Sequence, residues 1–345
     1  MPTSLLINAK WRCHRRQTGV QRYASGLLSA MQMSGLAFET AEPDRAGRLA
    51  STLWEQRTLP RIARSYDTLL CPANMAPVHL ASETSLIAII HCLRYRFHPC
   101  SYPKSFVRWY ERMIPKIIDR ADRLLTVSEA QKTEIESVYP QAMGKLGVLY
   151  PGLDRRFHPG QGRDVDAPSG QYFVCVTNST PAKNLSAVLR AYAQVAHLPP
   201  LVVIGLTGQE ADVMCPAGSR SRVRAMGHLN DQSRIAALLA HAQAAVCPST
   251  YESFGLPCLE AMGCGTPVIA SDIPAHREVC RNAAVYVEPD DVAGWGERMS
   301  QMVSDERFRA QLGAEGERRS RDFSWDRTVV ALQNELASLR TGAKV

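Results

Sequence analysis

The sequence predicts an α/β protein of two doubly wound parallel-sheet domains facing across a cleft. Short apolar runs alternate with helical patterns from end to end, the arrangement expected of parallel strands covered by helices on both faces. A length of 345 residues is enough for two separate cores. A break at residues 158–170, HPGQGRDVDAPSG, has only Val165 and Ala167 as apolar residues and divides the alternation in two.

In the first half, strands are expected over Leu5–Asn8, Thr68–Cys71, Leu86–His91, Leu124–Val127 and Gly147–Tyr150. Helical spacing fills 19–33, 104–120 and 128–138 between them. In the second half, strands are expected over Tyr172–Thr177, Leu201–Ile204, Arg222–Ala225, Ala244–Cys247, Pro267–Ala270 and Ala284–Val287, with helices over 185–196 and 231–241. The expected organisation is a first domain over 1–160, a second over 171–322 and a terminal helix over 323–345. Ligands of such sheets sit beyond the carboxyl ends of the strands, and two facing domains put the site between them.

Composition narrows the function. An apolar fraction of 45% with 21% charged residues describes an ordinary globular protein. No apolar run approaches the ~20 residues that span a bilayer. The N-terminal MPTSLLINAKWRCHRR places a short apolar stretch before its charges, the reverse of a secretion signal. Ten cysteines are scattered without a C-x-x-C pair, so reduced thiols in the cytoplasm are expected, and no metal site. A net charge of +7 suits an anionic substrate or an anionic membrane surface. No nucleic-acid module accompanies that charge, so nucleic acid is not an expected partner. A strand followed by G-x-G-x-x-G is also missing, which sets aside a Rossmann dehydrogenase.

Residues 247–278, CPSTYESFGLPCLEAMGCGTPVIASDIPAHRE, carry the most chemistry. They read as strand, Gly-rich turn, short helix, turn and strand. Pro257 suits the first turn of that helix, which should run to about Met262 and stop at Gly263. Free N–H groups and the partial positive charge at its N-terminus suit a phosphate. Glu252 precedes the helix and Glu260 lies about one turn inside it, eight positions on. A phosphate flanked by two carboxylates that accept hydroxyl hydrogen bonds describes a nucleotide sugar. Lys183 stands at a strand-to-helix turn, where an ammonium reaches a diphosphate. Alone it reads as a surface lysine; beside the Glu252–Glu260 segment the phosphate role is the better reading.

The ordered run Pro248-Ser249-Thr250-Tyr251-Glu252-Ser253-Phe254-Gly255-Leu256-Pro257-Cys258-Leu259-Glu260-Ala261-Met262 resembles the retaining glycosyltransferases of family 4, which have the GT-B fold of two Rossmann-like domains. The resemblance extends to Thr18-Gly19-Val20-Gln21-Arg22-Tyr23, to Val127-Ser128-Glu129, to Tyr150-Pro151-Gly152-Leu153-Asp154, to Pro181-Ala182-Lys183-Asn184 and to Phe323-Ser324-Trp325. It implies an acceptor-binding first domain, a nucleotide-sugar-binding second domain and a terminal helix crossing back to the first. It also implies that Glu260 bonds the ribose hydroxyls and that Glu252 contacts the donor sugar. Lys183 then binds the diphosphate, while the amides around Ser253, Phe254, Gly255 and Leu256 meet sugar and diphosphate. Gly19 would approach the donor phosphates and the acceptor, and His91 would position a sugar hydroxyl.

Two departures from the family pattern matter. Cys92 stands where an Asp usually follows the histidine. The arginine usual six residues before the lysine is Thr177, followed by Asn178, and the one directly before it is Ala182. Either a distant Arg supplies the missing contact or Thr177 and Asn178 bind phosphate through neutral hydrogen bonds, and weaker donor binding is expected.

By resemblance the chain is a retaining transferase moving a hexose to a hydroxyl of a glycan or lipid-linked glycan in surface polysaccharide synthesis. Glu252, Lys183 and His91 are its catalytic candidates, and no cofactor or metal is expected. The mannosyltransferase-like branch makes GDP-mannose the first donor expectation and UDP-glucose or another UDP-hexose the second. The rival from another class is a non-catalytic scaffold that binds a nucleotide or sugar. Residues 104–125 set Arg108, Arg112, Lys116 and Arg120 beside aromatics, with Pro115 expected to kink or split the helix. That stripe suits peripheral contact with anionic lipid at the inner face of the membrane, or equally a solvated face of a helix packed on its own sheet.

Overall fold

The computed structural model describes residues 4–13, 18–44 and 47–341, so the first three and last four positions of the expected domains lie outside the described residues. The chain divides into two compact units, residues 1–152 with 324–345, and residues 153–323. Each is built on a six-stranded, wholly parallel sheet.

In the first unit the strands are β1 (Leu5–Asn8), β2 (Glu39–Ala41), β3 (Thr68–Cys71), β4 (Ser85–Ile89), β5 (Arg123–Thr126) and β6 (Leu146–Val148), in the order β2-β1-β3-β4-β5-β6. Four of them are buried along nearly their whole length, which is why they read as apolar runs. The exceptions are the two edge strands, β6 with only Leu146 buried and β2, of sequence Glu-Thr-Ala, with its first two residues exposed. Nothing in the pattern of β2 announces a strand. Leu69, Leu86 and Leu124 form the core with Ile114, Ile117 and Ile118 of the helix Lys104–Arg120. Pro115 does not split that helix, which runs unbroken through it. Its apolar face supplies the reason, because Met113, Ile114, Ile117 and Ile118 are buried on both sides of the missing N–H.

The second unit has β7 (Phe173–Val176), β8 (Leu201–Ile204), β9 (Val223–Ala225), β10 (Ala244–Cys247), β11 (Val268–Ser271) and β12 (Ala284–Val287), in the order β12-β11-β10-β7-β8-β9. Strand order therefore reverses between β7 and β10, which pair through Ala244 with Phe173 and Ala245 with Val174. Its core joins Phe173, Val203 and Val246 to Leu189, Tyr192 and Trp295.

The division falls after Gly152, ahead of the polar stretch 158–170. That stretch belongs to the second unit. Polar residues fix it there, since Arg234 pairs with Asp164 at 2.9 Å and with Asp166 at 2.6 Å. The short helix of the central motif runs over Leu256–Gly263, one residue beyond the expected stop, and the chain turns left-handed only at Gly265. Gly263 is small for another reason. A Cβ there would come 2.5 Å from Cδ2 of Leu153.

Among the described residues no helix is long and apolar enough to cross a membrane. None of the ten cysteines is joined in a disulfide.

Candidate functional site

Doubly wound sheets bind ligands where strand order reverses, outside the carboxyl ends of the strands. In the second unit that point is the pair β7 and β10. The loop after β7 carries Thr177, Asn178 and Lys183, and the loop after β10 carries Ser249, Glu252 and the Gly255 turn. The two loops are tied together, since the Thr250 N–H donates to the Ala182 carbonyl at 2.9 Å. Asn178 braces the first loop through its Oδ1, which accepts from the Thr180 N–H at 3.0 Å and from its hydroxyl at 2.5 Å. Asn184 follows in the left-handed region at φ +51°, and its side chain donates to the Pro289 carbonyl at 2.8 Å.

Lys183 and Glu252 meet across these loops. Nζ lies 2.5 Å from Glu252 Oε1, which also accepts from the Ser249 hydroxyl at 2.8 Å. Both side chains are about one-sixth exposed, at 16% and 15%. Burial works against the charge on Glu252, yet its neighbours, Lys183 foremost and then His276 and the Ser249 hydroxyl, outweigh it and hold the carboxyl below its ordinary value. The glutamate is therefore an ion at neutral pH.

The helix Leu256–Gly263 begins at Gly255, whose φ is +100°. No side chain caps this end and no acid lies in its first turn, so its partial positive charge is left for a ligand. Cys258 and Leu259 donate to the Gly255 carbonyl at 3.0 and 3.2 Å and Pro257 has no N–H, which leaves the Leu256 N–H as the donor of that turn. Phe254 is 3% exposed and packs edge-on against Phe323, with ring centroids 5.3 Å apart. Its ring anchors the turn and leaves recognition to the backbone. Ser253 and Leu256 are half-buried on either side. Glu260 is 2% exposed, and its charge adds to burial in pushing the Cys264 thiol up to about 12.

His276 is the residue that sequence reasoning missed. It lies in the helix after β11 and is 1% exposed. Nδ1 is 3.0 Å from both the hydroxyl and the carbonyl of Ser271, whose hydroxyl also donates to the Ser249 carbonyl. Burial lowers its pKa, with Glu252 opposing, so the ring is mostly neutral at pH 7 and Lys183 is the main cation beside Glu252. With Nδ1–H donated to the Ser271 carbonyl, Nε2 is an acceptor next to Gly255. The one available signal was a histidine just after Pro274, at the carboxyl end of the strand beside β10.

In the first unit, His91 follows β4 and is 4% exposed. Its N–H donates to Asn74 Oδ1 at 2.7 Å, and its ring meets Tyr23 edge-on at 4.8 Å. Burial lowers the ring to about 4, so it is neutral and Nε2–H donates to the Pro72 carbonyl, 2.7 Å away. Only Nδ1 is left for a ligand among the described contacts. Gly19 opens the helix Gly19–Met33, where Thr18 and Gln21 form a capping box. Among the described residues no group of three His, Cys, Asp or Glu side chains is set to hold a metal ion.

Residues 165–319 match the glycosyl transferases group 1 family. These residues form a glycosyltransferase group 1 domain. The chain is 28% identical over 256 residues to the O-antigen chain mannosyltransferase B of Escherichia coli, covering 70% of this chain and 65% of that protein. It spans about half to two thirds of the length of the first curated relatives it matches. Among solved structures, WaaG, a glycosyltransferase involved in lipopolysaccharide biosynthesis, superposes with a TM-score of 0.75 at 16% identity, over 98% of this chain and 100% of that one. Anabaena HepE in complex with UDP-glucose gives 0.72 at 15% identity, over 97% and 100%. The fold is GT-B. Within the glycosyltransferase domain lie both glutamates, Lys183, the Gly255 turn and His276.

Proposed function

We propose that this chain is a retaining glycosyltransferase that moves a hexose from a nucleoside diphosphate sugar to a hydroxyl of a glycan or lipid-linked glycan. The observation that carries the reading is the Lys183–Glu252 pair beside an uncapped helix N-terminus at the β7–β10 reversal. As the bond between sugar and diphosphate breaks, negative charge gathers on the leaving phosphate. Preorganised donors at that point lower the barrier, and Lys183 with the Leu256 N–H and the positive end of its helix supplies them. The acceptor oxygen attacks the same face of the sugar, and its proton passes to the departing diphosphate. No side-chain nucleophile, metal or cofactor is called upon.

Glu252 then exchanges Lys183 for the donor, releasing the ammonium to the diphosphate and turning its carboxylate to the sugar hydroxyls. Glu260 holds the ribose, His91 positions a sugar hydroxyl, and Asn178 offers the phosphate its amide N–H groups in place of the usual arginine. GDP-mannose is the first choice of donor, supported by the mannosyltransferase relative. A UDP-hexose is the second reading, supported by the fold shared with a UDP-glucose complex. The same reading puts the chain in the cytoplasm, peripheral to the membrane that carries the acceptor.

The test is a thermal-shift panel of GDP-mannose, UDP-glucose and UDP-N-acetylglucosamine, followed by turnover with the donor that binds. Lys183→Ala should lower turnover about 10²–10³-fold, the worth of one charge-stabilising donor. A rate within a few-fold of wild type rejects the assignment. Binding without any transfer or donor hydrolysis favours the scaffold reading instead.

A further inference from the structure

The first unit has its own reversal of strand order, at β1 between β2 and β3. Just beyond the carboxyl end of β1 lies a polar cluster that the transfer chemistry above does not use. Glu55 is 1% exposed, and both of its oxygens are occupied. Oε1 accepts from Asn8 Nδ2 at 2.9 Å and Oε2 from Lys10 Nζ at 2.7 Å. Asn8 is 3% exposed and also accepts the Lys10 N–H on its Oδ1 at 3.2 Å. Lys10 alone reaches solvent, with 16% of its side chain exposed.

Burying a carboxylate costs several kcal/mol, and a half-buried partner returns little more than that, so stability is a poor account of the arrangement. Positioning is a better one. Glu55 sits in a π-helical turn, Trp54–Thr58, a rare distortion that recurs at functional sites. With each Glu55 oxygen engaged, the remaining ammonium N–H groups of Lys10 are held toward solvent beyond the carboxyl end of β1. The chain from Ala9 to Phe38 contains no Asp or Glu and five Lys or Arg, of which Lys10 and Arg12 are paired with Glu55 and Glu42 from outside that stretch.

We propose that Lys10, aimed by Glu55 and Asn8, binds an oxyanion carried by the acceptor, a phosphate or a sugar carboxylate. The inference rests on the transferase reading for the word acceptor, and on the first unit alone for the site.

The test is an NMR titration of the full chain with mannose 1-phosphate, methyl glucuronide and neutral methyl mannoside, with and without saturating GDP and UDP. At least one anionic sugar should bind about tenfold tighter than the neutral one, the scale of one charge-assisted bond. Lys10→Met should abolish that preference, and Lys10→Arg should keep it. Response to the phosphate alone or to the carboxylate alone identifies the source of the oxyanion. Equal binding of charged and neutral sugars by wild type overturns the proposal, whether or not Lys10→Met folds. So does an anion preference that survives in folded Lys10→Met. Binding is read without turnover, so a failed titration leaves the transferase reading standing, and a chain inactive with every donor leaves the titration result standing.

Discussion

At Gly255 the backbone turns at φ +100°, and a Cβ there would lie 3.0 Å from Cδ2 of His276. Gly255→Ala should therefore cost about 1–3 kcal/mol in chemical denaturation and weaken nucleotide binding, because the ring beside the turn must shift. His91 has a pH signature of its own. Above pH 6.5 folded and unfolded states both hold it neutral. Between 6.5 and about 4 the unfolded chain takes up a proton that the buried ring refuses, so stability falls as pH falls. The loss reaches about 3 kcal/mol, at roughly 1.4 kcal/mol per pH unit. His91→Gln should flatten that part of the stability–pH profile, measured by urea denaturation from pH 7 to 4.5. The residues of the donor side were legible where they share one contiguous motif, as Glu252, Gly255 and Glu260 do. His276 was not, because it reaches Gly255 from the far side of β11, a proximity created only by strand pairing.

Among elements, the helix Lys104–Arg120 shows how packing overrides local rules. Pro115 removes a backbone N–H and should break a helix standing alone, yet four buried residues around it hold the run together. Pro115→Ala should stabilise the chain by about 1 kcal/mol, the regained hydrogen bond being partly offset by a freer unfolded chain. A lowered melting temperature would mean the ring itself packs usefully. The central strands were legible because burial on both faces makes them apolar throughout. Edge strand β2 was not, since an exposed Glu-Thr pair carries no periodicity. Nor was the π-turn that aims Glu55, for no residue pattern encodes it.

For the whole molecule, the decisive feature is that the first unit is discontinuous. The helix Trp325–Thr341 belongs to it, with the Trp325 ring 5.7 Å from that of Tyr23. The Thr328 hydroxyl donates to the Tyr150 carbonyl at 2.8 Å, and Arg123 grips Glu335 with two bonds, at 2.5 and 2.8 Å. Truncation after Phe323 should speed hydrogen exchange in β5, β6 and the helix Gly19–Met33 while leaving the second unit protected. Equal loss in both units would contradict an independent second core. The unit boundary was hidden from the sequence because 158–170 is held by Arg234 through charges, and a polar stretch reads as a linker whether or not it is docked.

This discontinuity has a consequence for biosynthesis. A ribosome finishes the first sheet at Gly152 and then makes the whole second unit before Ser324 appears, 172 residues later (324 − 152). At about 5–20 residues per second that is a wait of roughly 10–30 s. Throughout it, Tyr23 and Arg123 lack the helix that covers them, and at its end the second unit has its full sequence and can fold before that helix is made. The nascent first half is thus the stretch a chaperone would have to guard.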